Sequence, residues 1–142
     1  MAGSDRSTRR DFQALGRVHL RAARALLRAR LWQTAYYLTG YAVECGLKAC
    51  IAKQTRRHDF PVRNTSDMYT HELPKLLQSA GLLPALRAEE AGNSRMAVSW
   101  ATVKDWRPAS RYDLTVPESA ARDLYRAVAG RNGVMRWIRQ RW

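Results

Sequence analysis

The chain is 142 residues long, one domain's worth and enough to bury a core, and 46% of its residues are apolar. Lysine and arginine total 25 against 12 acidic residues, a net charge of +13, and 21 of the 25 are arginine. Collagen-like and disordered compositions are excluded, as is a membrane span, because the longest apolar stretch, residues 35–52, carries Glu44 and Lys48.

Met1-Ala2-Gly3-Ser4-Asp5-Arg6 lacks the apolar run of a secretory leader, so a cytoplasmic location is expected. Leu15, Val18, Ala22, Leu26 and Ala29 recur every three or four residues beside Arg17, Arg21, Arg24 and Arg28. This pattern predicts an amphipathic helix over about 7–30, with Ser7 as its cap. A second helix follows, where Leu31, Ala35, Leu38, Ala42, Cys45, Ala49 and Ala52 form one stripe. Gly40 and Gly46 destabilise a helix unless a neighbour needs the space, so close packing is expected against it. Cys45 and Cys50 read as small core residues of a reducing compartment. With only the scattered His19, His58 and His71 beside them they complete no metal site, and no cofactor is expected.

Residues 54–69, with Arg56, Arg57, Pro61, Arg63, Asn64 and Ser66, read as a polar loop. A short helix over 71–80 is closed by Gly81. Pro84 opens a longer helix that runs to Trp106 and stops before Pro108. Residues 106–113 form a connector, and Thr115-Val116-Pro117-Glu118 has the form of a capping box. The last helix places Ala121, Leu124, Val128, Met135, Ile138 and Trp142 on one face, with Gly130 and Gly133 as weak points. The sum is an all-α, up-and-down bundle of four long helices and one short helix, a single domain over 1–142.

No phosphate-binding glycine loop, nucleophile elbow or zinc-protease motif is present. The basic excess is spread evenly, 13 basic to 5 acidic residues in 1–71 and 12 to 7 in 72–142. Such a surface attracts polyanions, because neutralising phosphates releases counterions. An acidic partner protein, or a merely solvated arginine-rich surface, satisfies the same charge.

The candidate site residues come from several segments. Tyr37, Tyr41, Glu44 and Lys48 make a second stripe on the second helix, with Glu44 oriented to pair with Lys48. Arg107 and Arg111 suit bidentate phosphate contacts. Trp106, Tyr112 and Tyr41 offer faces for a base. Glu44 would read an exocyclic amine or orient Arg111, and His71 would reach the same cleft. A purely structural cluster of Glu44, His71 and Arg111 is the competing reading.

Residues 35–49, Ala-Tyr-Tyr-Leu-Thr-Gly-Tyr-Ala-Val-Glu-Cys-Gly-Leu-Lys-Ala, resemble the second helix of HEPN-domain proteins. His71-Glu72-Leu73-Pro74-Lys75-Leu76-Leu77 resembles the short helix that follows in that family. Trp106, Arg111 and Tyr112, ahead of Arg136-Trp137-Ile138, resemble its C-terminal signature. The resemblance spans about 8–140. It implies a four- to five-helix bundle, usually a homodimer, frequently partnered by a small nucleotidyltransferase, acting on RNA or binding nucleotides in toxin–antitoxin or defence systems. RNase members carry an arginine followed four to six residues later by histidine; here Arg107 is followed by Tyr112 in that place. A free tyrosine titrates near 10 against about 6.5 for histidine, a poor base at neutral pH. The implied function is therefore a dimeric nucleotide- or RNA-binding module, with Tyr41, Glu44, Lys48, His71, Trp106, Arg107, Arg111 and Tyr112 as binding residues. The alternatives are a metal-independent endoribonuclease using Arg111, Tyr112, His71 and Glu44, or an interaction protein for an acidic partner.

Overall fold

The computed structural model describes residues 8–58 and 70–142, and among them every regular element is helical. In chain order these are α1 (Arg9–Arg28), α2 (Trp32–His58), α3 (Leu73–Ser79), α4 (Leu83–Gly92), α5 (Ser94–Val103), a 3-10 helix (Pro108–Tyr112), α6 (Glu118–Ala129) and α7 (Val134–Arg139). The all-α expectation holds. The expectation of four long helices does not: only α1 and α2, of 20 and 27 residues, exceed three and a half turns.

Each difference has a local cause. Thr8, not Ser7, caps α1: its hydroxyl accepts from the Asp11 amide, and the Asp11 carboxylate accepts from the Thr8 amide. Ser7 lies outside the described residues. α2 continues through Gln54 to His58, into the expected polar loop; the remainder of that loop, 59–69, lies outside the described residues. The helix expected from Pro84 to Trp106 divides at Asn93, which ends α4 and caps α5 by accepting from the Met96 amide. The expected last helix divides between Gly130 and Gly133 into α6 and α7. No capping box forms at its start. Pro117 occupies the cap with no side-chain bond, and Thr115 donates to Asp113 instead.

Two turns use left-handed backbone. Gly81 (φ 71) follows α3, with the Gly81 amide donating to the Gln78 carbonyl and the Leu82 amide to that of Leu77. Arg30 (φ 62) does the same after α1, its amide donating to Leu27 and that of Leu31 to Leu26. Both are Schellman turns, and the second places an arginine where glycine is unstrained.

α2 is the axis of the fold. It meets α1, α3, the 3-10 helix, α6 and α7, so its middle is buried on all sides rather than along one stripe. Its small residues create this access. A Cβ at Gly40 would overlap the Trp106 ring, and one at Gly46 would lie 3.0 Å from Ile138 Cγ2. Trp100, Trp106, Trp137 and Trp142 are all buried within this one chain. The small residues of α2 and four of the five tryptophans are therefore used inside this one chain. No described helix is long and apolar enough to cross a membrane.

Candidate functional site

Glu44 is the one buried ionisable carboxylate of the described core, 2% exposed at the centre of α2. Its Oε2 lies 3.0 Å from Lys48 Nζ, one turn along, and 2.9 Å from His71 Nδ1, which precedes α3. An imidazole protonated at Nδ1 donates to that oxygen and leaves its other nitrogen facing outward; the His71 side chain is 57% exposed. The next residue, Glu72, bonds Lys75 at 2.6 Å and Arg107 at 3.0 Å, and these two bonds lower its pKa. Arg107 is thus tied to the start of α3.

Beside this cluster runs a row of rings. His19 of α1 stacks on Tyr41 with centroids 4.8 Å apart, Tyr41 lies 5.9 Å from Tyr37, and Tyr37 lies 6.0 Å from Trp106. Burial holds the His19 pKa down and that of Tyr41 up, with Cys45, Glu44 and Tyr37 adding to the latter. Beneath them the Cys45 thiol is pushed up to about 12, first by burial and then by Glu44, which leaves it inert as a nucleophile. The 3-10 helix closes the row. Gln33 of α2 donates to the Ser110 and Arg111 carbonyls and fixes that segment. The Arg111 guanidinium sits 4.8 Å over the Tyr112 ring, and its pKa is raised, first by Tyr37 and then by Tyr112. Both Arg111 and Tyr112 are exposed.

The structure thus brings Glu44, Lys48 and His71 into direct contact, sets Tyr41 in a ring row with Tyr37, and stacks Arg111 on Tyr112. It does not make Arg111 a partner of Glu44, so the expected three-way cluster of Glu44, His71 and Arg111 is corrected: Arg111 belongs to the tyrosines. Trp106 is corrected as well. Its ring is 1% exposed against Gly40, so no base can stack on it in this conformation. No group of three His, Cys, Asp or Glu side chains among the described residues is placed to hold a metal ion.

Sequence reasoning missed a larger feature on the opposite flank of α1. A cleft of about 480 Å³ opens between α1 and the α6–α7 corner. Arg17, Arg21 and Arg24 line it from α1, and Arg131, Arg136 and Arg139 from the other side. Leu20, Tyr125, Val128 and Met135 supply its apolar lining. No carboxylate lines it, and none of the six arginines has a carboxylate partner among the described residues. Arg17 and Arg139 rest on the Trp142 ring, at 4.9 and 5.9 Å from its centroid. The three-to-four-residue spacing of arginines on α1 was the available signal; their counterparts lie more than a hundred residues further along the chain. A second cleft, of about 450 Å³, lies beside Tyr36 and is lined by Asp105, Asp113 and Arg107, so it lacks the positive excess of the first. Compared with known proteins, the chain matches no family model, no curated protein and no solved structure.

Proposed function

We propose that this chain is a HEPN-type nucleotide- or RNA-binding protein, and that its ligand lies along the row formed by Tyr112, Arg111, Tyr37 and Tyr41. One observation carries the reading: an exposed guanidinium, that of Arg111, stacked on the exposed Tyr112 ring at 4.8 Å, beside a ring row that runs from Tyr37 through Tyr41 to His19. A fixed guanidinium offers paired donors to a phosphate, and the rings beside it offer surface to a base. Lys48 and His71, gathered on Glu44, supply further donors at the same face, and Arg107 borders it. The resemblance adds the setting of a cytoplasmic toxin–antitoxin or defence system, a homodimer and a nucleotidyltransferase partner. Fluorescence anisotropy with a labelled single-stranded RNA tests it. Removing both Arg111 and Tyr112 by alanine substitution should weaken binding about tenfold or more, the scale of one lost stacking contact. Unchanged affinity contradicts the reading.

The Glu44–His71 contact supports a second reading, a metal-independent endoribonuclease in which His71 is the general base and Glu44 orients it. Incubation of purified protein with total RNA decides between them. Cleavage that disappears in His71→Ala favours the enzyme, and intact RNA favours the binding module.

A further inference from the structure

The arginine-lined cleft lies apart from the ring row. At 100° per residue, His19 projects from the side of α1 opposite to Arg17 and Arg21, so the two surfaces are separated by the body of the helix. Six arginines lining one cleft without a counter-charge among the described residues repel, and an arrangement that is unfavourable in the free protein becomes favourable around an anion. The remaining question is which anion.

Size and lining decide in favour of a compact one. A volume of about 480 Å³ is that of a small-molecule site. Arg17 to Arg24 span about 10 Å of helix, over which one strand of a duplex presents only about three charges. The cations here come from two sides rather than along one stripe, which suits charge concentrated on adjacent phosphorus atoms. Tyr125, half-buried in the lining, adds a ring face that phosphate alone does not use and a nucleoside does, over a floor of buried Leu20, Val128 and Met135. Arg17 and Arg139 are already oriented by Trp142, so less side-chain freedom is lost when they bind. We infer that the cleft between α1 and the α6–α7 corner is a second binding site, specific for a nucleoside polyphosphate, either free or as the 5′ end of an RNA. An acidic peptide matches the charge, but not the combination of small volume and charges converging from both sides.

Calorimetry on the full chain tests this, with ATP, AMP, tripolyphosphate and a polyglutamate peptide as probes. Each charge-assisted contact to a phosphate oxygen changes affinity by roughly tenfold or more, so ATP should bind at least about tenfold more tightly than AMP. Tripolyphosphate should bind more weakly than ATP. The double variant R21E/R136E should lose at least about a hundredfold in ATP affinity, whereas R87E/R95E, with the same change in net charge at exposed positions outside the cleft, should lose less than about threefold. Thermal melts of both variants verify folding. A 5′-triphosphorylated RNA octamer beside its 5′-hydroxyl counterpart identifies the source: preference for the former assigns an RNA end, and binding of ATP alone assigns a free nucleotide. The inference is overturned if ATP and AMP bind equally, if tripolyphosphate equals ATP, if polyglutamate binds more tightly than ATP, or if the two charge-reversal variants behave alike. Replacing Arg111 and Tyr112 with alanine should leave ATP binding intact. If that change abolishes it while R21E/R136E does not, the nucleotide occupies the ring row, and the cleft inference fails while the proposed function stands.

Discussion

On the flank of α1 that carries His19, the buried carboxylate of Glu44 meets two partners, Lys48 and His71. On the flank that carries Arg17, Arg21 and Arg24, six like charges line a cleft without a counter-charge. The first arrangement is what an apolar interior demands, because an unpaired charge there is far more costly than a paired one. The second is tolerable only because water and salt reach it, and it gains nothing for the free protein. Paired charge at the centre of α2 therefore serves the fold whatever it also binds, whereas unpaired charge at the α6–α7 corner serves only a ligand.

The largest effect should come from breaking the paired side. Lys48→Met removes the ammonium from a carboxylate that stays buried, and should cost about 3 kcal/mol, the low end of the range because His71 remains. Urea unfolding measures it, and a loss below about 1 kcal/mol would mean that Glu44 does not depend on Lys48. Gly40→Ala comes next. The new methyl would overlap the Trp106 ring, so the connector must shift, at about 1–3 kcal/mol. Tryptophan fluorescence should shift to the red with the same substitution, since a displaced Trp106 gains access to water.

A smaller change of opposite sign sits at the turn between α1 and α2. Arg30 holds a left-handed conformation that costs an L-residue about 1–2 kcal/mol and glycine little. Against that, Arg30→Gly adds freedom to the unfolded chain and loses the contact over Trp32 at 5.7 Å. The net should be a gain of about 0.5 kcal/mol, seen as a raised melting temperature.

Much of the fold is legible in the residues themselves. Gly81 and Pro84 mark the ends of α3 and α4 correctly because turn chemistry is local. The Glu44–Lys48 pair is legible for the same reason, being one helical turn apart. The breaks at Asn93 and between Gly130 and Gly133 were signalled by those residues, but helical periodicity on both sides masked them. The burial of Trp106 was not legible, since it depends on Gly40, far away in the chain. The arginine cleft was hidden for the same reason: Arg17, Arg21 and Arg24 look like a solvated face until Arg131, Arg136 and Arg139 are brought opposite them.

The smallest effect tests the comparison itself. Thermal melts should be recorded at about 10 mM and about 300 mM salt, where the screening length falls from about 30 Å to well under 10 Å. If the six arginines repel one another, the wild-type protein gains melting temperature with salt, and R21Q/R136Q loses at least about half of that gain while R87Q/R95Q keeps it. If both variants and the wild-type protein respond equally to salt, the cleft charges do not act on one another, and the contrast between the two flanks of α1 is contradicted.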